Sequence, residues 1–174
     1  MLVGTKAPPF STTACAGDSV VEVSSSDFMG HWLILFFYPA DFSTVCPTEL
    51  RALERHLEEI QAEDARVAAV STDDAQTHKR WLKEELPEVK FPLLADPTHA
   101  ISSAYGVLLE EEGISQRAAF IIDPQGVIRY LVVSDMDVGR SAEELLRVLQ
   151  ALRTGAPCPA GWKKGDKPLP VKAE

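Results

Sequence analysis

One stretch decides the fold, and it reads Leu33-Ile34-Leu35-Phe36-Phe37-Tyr38-Pro39-Ala40-Asp41-Phe42-Ser43-Thr44-Val45-Cys46-Pro47-Thr48-Glu49. Its first six residues form a continuous, aromatic-rich apolar run, which is typical of a strand buried on both faces. Further on, leucines and an isoleucine recur at helical spacing between charged residues, which predicts a helix over Thr48–Ala62. Cys46 therefore lies at a strand-to-helix junction, in or just before the first turn, where Pro47 suits the helix start.

A cysteine at a helix start can become reactive, because the positive end of the helix dipole favours the thiolate, which is the nucleophile. Lowering a thiol pKa by about two units requires about 2.7 kcal/mol. A helix terminus supplies about 0.3–1 kcal/mol and at best about 2. We therefore expect a cationic side chain from elsewhere in the chain to complete the site.

Two further interpretations concern the same junction. The hydroxyls of Ser43 and Thr44 are expected to accept hydrogen bonds from the unpaired amides of the first turn. The alternative to a reactive Cys46 is a buried and inert thiol, since free cysteine is among the most buried residue types. Its place beside Pro47 at a helix start favours the reactive interpretation.

Length and charge exclude several classes of function. A chain of 174 residues fits one domain with a substantial core. The net charge of −9 argues against nucleic acid or an anionic membrane as a partner, because both require clustered Lys and Arg. The basic residues near the end lack interleaved aromatics and predict a solvated tail; they are Lys163, Lys164, Lys167 and Lys172.

The cysteines and histidines point to redox chemistry without a metal. The chain begins without the basic start and long apolar stretch of a signal peptide, so a cytoplasmic location is expected. In a reducing compartment, an odd set of three cysteines (Cys15, Cys46 and Cys158) predicts a transient catalytic disulfide rather than a static framework. Because there is no Cys-x-x-Cys and the histidines are scattered, we expect neither a metal nor another cofactor.

The remaining elements are read from periodicity and turn residues. A short buried strand followed by a helix repeats the first strand-helix unit, which implies parallel strands. Asp123-Pro124-Gln125-Gly126 is a turn sequence that joins two β runs into an antiparallel hairpin. Ser141 opens the last helix with a capping box. The predicted ranges are strands 66–71, 118–123 and 127–133, helices 74–85 and 100–105, and an extended piece over 91–95.

The two ends of the chain carry weaker patterns. The first thirty residues, rich in Ser, Thr, Gly and Asp, look like a hairpin or loops laid over the sheet. Residues 155–174 are rich in proline and glycine and contain Cys158, which predicts a mobile tail with little regular structure. We therefore divide the chain into a domain over 1–154 and a tail over 155–174.

This order of elements, with a cysteine at the first strand-to-helix junction, resembles the α/β thioredoxin-like fold, a mixed central sheet flanked by helices. Pro39, Ser43 and Cys46 match the Pro-x-x-x-Thr/Ser-x-x-Cys motif of the peroxiredoxins. The wider context resembles the typical two-cysteine class, the group of alkyl hydroperoxide reductase C. The resemblance extends from about residue 3 to 167 and includes Tyr105-Gly106-Val107-Leu108, Val138-Gly139-Arg140-Ser141 and Pro157-Cys158-Pro159-Ala160-Gly161-Trp162.

The resemblance implies roles for the residues around Cys46. As a thiolate, Cys46 would attack the terminal oxygen of hydrogen peroxide or an organic hydroperoxide and become a sulfenic acid. Arg117 would be the missing cation, although without the motif it would pass for a surface arginine at a strand edge. Ser43 would present its hydroxyl to the peroxide, and Pro39 would shield the thiolate from water. Glu49 would orient Arg117 through a charge-assisted hydrogen bond.

The resemblance also implies a second half of the cycle. Arg140 is expected to join the network of Arg117. Cys158 of the other subunit would resolve the sulfenic acid, which gives an intersubunit disulfide and a homodimer, with a decamer of such dimers as a larger assembly. A thioredoxin-like protein or a flavoprotein would supply electrons, whereas Cys15 matches no cysteine of the family. For oligomer assembly Phe42 and Trp81 are the candidates, with a role as core aromatics as the alternative.

The sequence departs from the family pattern in three places. Ser43 replaces threonine, which keeps the hydroxyl but loses the methyl that restrains its rotamer. No Gly-Gly-Leu-Gly run lies between Lys83 and Phe91, and the tail lacks a Tyr-Phe pair, so resistance to overoxidation is predicted. The link from Thr154 to Pro157 is short, which restricts the reach of Cys158.

Two other functions stay open at this point. A thioredoxin-like disulfide reductase normally needs Cys-x-x-Cys, but the residue three beyond Cys46 is Glu49. A redox-controlled oligomeric holdase or chaperone would depend on a ring-shaped assembly rather than on the thiol.

Overall fold

The computed structural model describes residues 3–171. Nine strands and five helices follow one another along these residues, with a short 3₁₀ turn at Ser25–Phe28. The strands are β1 (Ser11–Ala16), β2 (Ser19–Ser24), β3 (Trp32–Phe37), β4 (Ala65–Ser71), β5 (Leu93–Ala95), β6 (Leu108–Leu109), β7 (Ile114–Ser115), β8 (Arg117–Ile122) and β9 (Ile128–Ser134). The helices are α1 (Cys46–Arg55), α2 (Leu57–Ala62), α3 (Ala75–Glu85), α4 (Ala100–Ala104) and α5 (Ala142–Arg153).

A seven-stranded mixed sheet forms the centre of the molecule, in the order β2-β1-β5-β4-β3-β8-β9. Strands β3, β4 and β5 run parallel, and β8 lies antiparallel to β3 on the other side. Alternate residues of β3 enter two hydrophobic clusters, one shared with α1, α2, α3 and α5 and the other with α4. The expectation of a strand buried on both faces is therefore confirmed, and the carboxyl end of β3 opens into the loop that carries Cys46.

The predicted helix over 48–62 is wrong in its bounds. Helix α1 begins at Cys46, and His56 separates it from α2 with a backbone at φ −102° and ψ 6°. Leu57 and Ile60 are buried nonetheless, so both helices keep the apolar face that the spacing predicts. Because no proline or glycine marks the break, the residue pattern alone could not reveal it.

The amino-terminal hairpin does not lie over the sheet, as we expected. Strands β1 and β2 form a hairpin that extends the sheet at its edge, with Ala14 opposite Leu94 and Cys15 opposite Leu93. Without β1, the three-residue strand β5 would leave its outer backbone groups unpaired. Pairing with the hairpin removes that exposed edge.

The carboxyl-terminal hairpin agrees with the prediction, and the last helix agrees except in its capping box. Strands β8 and β9 pair antiparallel around the predicted turn, in which the Gly126 amide donates to the Asp123 carbonyl at 2.8 Å. Ser141 caps α5 by accepting from the Glu144 amide, but the predicted capping box is only half formed, because the Glu144 carboxylate binds Arg147. Within residues 3–171, no helix combines the length and apolar character that crossing a membrane requires.

The tail folds back on the domain although residues 155–171 contain neither helix nor strand. Trp162 is only 4% exposed, and its carbonyl accepts from Arg147 of α5. The Lys164 ammonium lies 2.5 Å from the Glu63 carboxylate beyond α2. Lys172, the last of the predicted basic residues, lies outside the described residues, and the mobility of the tail stays a prediction.

Candidate active site

Cys46 is the first residue of α1, and its side chain is fully buried. Pro47 follows in the first turn, as the sequence predicts. The prediction that Ser43 and Thr44 cap this helix is wrong. The residue before the helix, Val45, has no side-chain cap, and the Ser43 hydroxyl donates to the Ala40 carbonyl at 2.8 Å.

Arg117 is the cation beside the thiol. The antiparallel register sets Ala118 opposite Phe37, so the first residue of β8 lies at the end of β3 where the Cys46 loop begins. Arg117 is 4% exposed, and its Nη1 lies 3.2 Å from Cys46 Sγ. Its Nε donates to the Met136 carbonyl at 2.7 Å, which fixes the guanidinium plane. The alternative of an ordinary surface arginine is therefore wrong.

Glu49 joins two arginines one turn into α1. Its carboxylate is buried and accepts from Arg117 Nη1 at 2.9 Å through Oε2. The same carboxylate accepts from Arg140 Nε at 2.9 Å through Oε1 and from Arg140 Nη2 at 3.0 Å through Oε2. Because paired guanidinium-carboxylate bonds fix orientation as well as charge, Glu49 holds both arginines in place.

Arg140 anchors this network to the sheet. Its Nη1 donates to the carbonyls of Phe37 and Ala118 at 2.8 and 2.6 Å, and its guanidinium lies 3.5 Å from the centroid of the Phe36 ring. Burial lowers the pKa of Arg140, while the hydrogen bonds and charge of Glu49 oppose that shift. Arg140 therefore joins the network of Arg117, as expected.

The other predicted site residues occupy different surroundings. Pro39 is buried and Ser43 is half-buried, both in the loop between β3 and α1. Cys158 is half-buried beyond α5, with Sγ 3.4 Å from the Thr154 hydroxyl. All three cysteines are free thiols, so the structure does not bring Cys158 and Cys46 together in this state.

The two aromatic candidates for assembly differ in exposure. Trp81 is fully buried and packs against Tyr38, with ring centroids 5.8 Å apart. Phe42 is 38% exposed, and the Arg80 guanidinium lies 4.9 Å from its ring centroid. Trp81 is therefore a core aromatic, and Phe42 is the member of the pair that a partner could reach.

Two groups in the site could not be predicted from the sequence. The Met136 carbonyl that orients Arg117 is a backbone group, so its residue type carries no signal. The Phe36 ring under Arg140 is one of several aromatics in β3, and only the fold shows which of them faces the guanidinium. A buried cation on an aromatic face is a favourable contact, which adds to the anchoring of Arg140.

Comparison with known proteins agrees with this geometry. A family model described as "AhpC/TSA family" matches residues 3–131, more than half of the chain. The chain belongs to this family of peroxiredoxins. Peroxiredoxin-2 of Mus musculus is 43% identical over 173 residues, covering 94% of this chain and 87% of the relative. The likeness of this peroxiredoxin to its relative therefore covers the whole domain rather than a local motif.

Solved structures extend the likeness to the fold. The crystal structure of Enterococcus faecalis AhpC matches with a TM-score of 0.88 at 39% identity, covering 97% of this chain and 99% of that one. The crystal structure of reduced Plasmodium vivax 2-Cys peroxiredoxin matches with a TM-score of 0.90 at 37% identity, covering 95% and 91%. The predicted α/β thioredoxin-like fold and peroxiredoxin membership are confirmed. This peroxiredoxin is therefore a thiol-dependent peroxidase.

Proposed function

We propose that Cys46 is the residue that reduces the peroxide. The observation that carries this proposal is the 3.2 Å contact between Arg117 Nη1 and Cys46 Sγ, because a buried permanent cation stabilises a thiolate. The thiolate attacks the terminal peroxide oxygen, and the O–O bond breaks. Sulfur is oxidised to a sulfenic acid, while the other oxygen leaves as hydroxide or alkoxide and takes up a proton from solvent to give water or an alcohol.

The neighbouring residues position the reactants. Arg117 also stabilises the oxygen that departs, since a preorganised donor acts most strongly where charge develops. Glu49 orients Arg117, and Ser43 turns its hydroxyl from the Ala40 carbonyl to the bound peroxide. Pro39, buried at the start of the loop, shields the thiolate from water. Serine in place of threonine keeps the required hydroxyl, so activity is retained.

Cys158 is the proposed resolving residue. Its thiolate attacks the Cys46 sulfenic acid, the S–O bond breaks, and the oxygen leaves as water when the disulfide forms. The first turn of α1 must open for this step, because Cys46 is fully buried. The tail over 155–174 then acts as a unit separate from the domain over 1–154. A thioredoxin-like protein or a flavoprotein returns two electrons to the disulfide.

We extend the proposal to a cytoplasmic homodimer, with Cys158 supplied by the partner. Strand β9 ends the sheet and exposes Val133, and an unpaired strand edge favours association. The exposed ring of Phe42 near the active-site loop is a second surface for assembly into a decamer. The holdase alternative is not favoured, because the relatives are named peroxiredoxins. The disulfide-reductase alternative is not favoured either, because the position three beyond Cys46 is occupied by Glu49, which is held between two arginines.

Non-reducing electrophoresis tests this cycle. Wild type, Cys46→Ser and Cys158→Ser are treated with hydrogen peroxide, and Cys15→Ser serves as the matched control. A band at dimer mass is expected in wild type and Cys15→Ser and absent from the other two variants. A dimer band that persists in Cys46→Ser would contradict the assignment of the attacking thiol.

Resistance to overoxidation follows from the segment between α3 and β5. This segment lacks a Gly-Gly-Leu-Gly run, and its buried Leu86, Val89 and Phe91 share a core cluster with α1. Its polar contacts with α1, from Arg51 to the Glu88 carboxylate and from the Lys90 amide to Glu54, are exposed. Exposed ion pairs contribute about 0–1 kcal/mol, so they restrain the opening of α1 weakly. At one peroxide per turnover we expect disulfide rather than sulfinic acid at Cys46, measured by mass spectrometry.

Cys158→Ser is the positive control for that measurement, because its sulfenic acid persists and meets further peroxide. It should accumulate sulfinic acid under the same titration. Sulfinic Cys46 at near-stoichiometric peroxide in wild type would show that α1 opens slowly.

A further inference from the structure

A buried polar cluster lies beneath the loop that carries Cys46. His78 of α3 and Asp41 of the loop have fully buried side chains, and Nδ1 lies 2.7 Å from Oδ2. The Tyr38 hydroxyl donates to the other Asp41 oxygen at 2.7 Å. On its far side, His78 Nε2 lies 3.2 Å from the Leu94 carbonyl of β5. The cluster thus connects the loop to a helix and to the central sheet.

The protons of this cluster follow from its partners. The Leu94 carbonyl only accepts, so His78 Nε2 carries a hydrogen. The short contact between Nδ1 and the Asp41 carboxyl requires one more proton between them, whichever atom holds it. The pair therefore has no net charge, which is the arrangement that burial allows. Burial raises the pKa of Asp41, opposed by the hydrogen bond and charge of His78.

Asp41 is also held through its backbone. Its amide donates to Asp73 Oδ2 at 2.9 Å, and the Ser71 hydroxyl donates to the same oxygen at 2.7 Å. The next residue, Phe42, has φ 53°, a left-handed conformation that a bulky side chain rarely adopts. Such a conformation persists only where the surrounding structure holds it, so the contacts of Asp41 fix the loop at this point.

We propose that His78 and Asp41 are positioning residues of the peroxidase reaction, which hold the loop in the closed arrangement that presents Ser43 and Cys46 to peroxide. This inference rests on the proposed function of Cys46. Neither residue reacts with the peroxide. The pair competes with the opening of α1 that Cys158 requires, so its strength sets how the sulfenic acid divides between disulfide and sulfinic acid.

Two kinds of variant distinguish the effect of the His78–Asp41 hydrogen bond from the effect of general packing. Asp41→Ala and His78→Leu remove the pair, and each should slow peroxide reduction about tenfold, the effect of losing one charge-assisted hydrogen bond. Their sulfinic fraction at high peroxide should fall, because an open loop favours the disulfide. Asp41→Asn keeps a carbonyl for Tyr38 and an amide donor for His78 Nδ1, so its rate and sulfinic fraction should stay within about threefold of wild type.

Leu82→Ala is the matched control, since Leu82 is buried on the same helix but is not part of the cluster. Peroxide rates by stopped flow and sulfinic Cys46 by mass spectrometry are compared at equal folded fraction, set by circular dichroism. The inference is overturned if Leu82→Ala shifts the sulfinic fraction as much as His78→Leu, or if both cluster variants behave as wild type. A wild type that forms no disulfide would instead overturn the proposed function.

Discussion

Replacing Arg117 with alanine is expected to slow the reaction of Cys46 with hydrogen peroxide by roughly 10²- to 10³-fold, the usual effect of removing one preorganised donor from a reacting centre. The guanidinium contacts Cys46 Sγ at 3.2 Å inside a buried site. In such surroundings water cannot replace the lost charge, so the thiolate is less stable. The developing charge on the departing oxygen also loses its donor.

The fold should survive this change better than the activity. Glu49 keeps its paired bonds to Arg140 when Arg117 is absent, so the carboxylate is not left without a cation. Arg117→Lys should recover part of the rate, since an ammonium restores charge but lacks the planar fork that contacts both Glu49 and the Met136 carbonyl.

Stopped-flow measurement of the peroxide reaction checks the expectation. Arg129→Ala is the matched control, because it removes the same charge from the neighbouring strand, where Arg129 binds Asp123 at a half-exposed position. Its rate should match wild type. A rate for Arg117→Ala within about threefold of wild type would remove Arg117 from the mechanism.

Glu49→Gln is expected to lower the free energy of unfolding by about 3–5 kcal/mol, the loss typical of breaking a buried ion pair by removal of one partner. The carboxylate accepts from both Arg117 and Arg140, and its amide replacement can accept through one oxygen only. The new NH₂ group would face guanidinium donors, and two buried cations would face one anion, the Cys46 thiolate.

Urea unfolding at neutral pH measures this loss. Glu58→Gln makes the same chemical change at an exposed position of α2 and should alter stability by no more than about 0.5 kcal/mol. The peroxide rate of Glu49→Gln should fall as well, because Arg117 loses the bond that orients it. Wild-type stability together with a wild-type rate would show that the two arginines do not depend on Glu49.

Local chemistry made part of this site predictable. The apolar run of β3 and the proline after Cys46 placed the cysteine at a helix start. Because a helix dipole alone is too weak to activate the thiol, we predicted a cation, and the resemblance to peroxiredoxins identified it as Arg117. Its position depends on the register between β3 and β8, which pairs residues some eighty positions apart in the chain. No local pattern contains that register, so the sequence without the resemblance would have left Arg117 as one arginine among many.

The wrong or missed predictions also concern features that depend on the assembled fold. Ser43 could have capped α1, but the loop turns its hydroxyl toward Ala40, and hydroxyl direction depends on the loop rather than on residue type. The amino-terminal hairpin joins the sheet because β5 has a free edge, which is a property of the assembled sheet. His78 looked like one scattered histidine, since its partner Asp41 is distant along the chain and adjacent only in the fold.

Arg117, Arg140 and Glu49 also determine the net charge of the buried site. With Cys46 ionised, two positive charges face two negative charges, and the buried group is balanced. Oxidation to sulfenic acid removes one negative charge and leaves an excess of one positive charge in a buried region. The Coulomb attraction between Arg117 and the Cys46 sulfur then disappears, while the Arg117–Glu49 ion pair remains. The chemical step itself therefore weakens the hold on the helix that must open next in the proposed cycle.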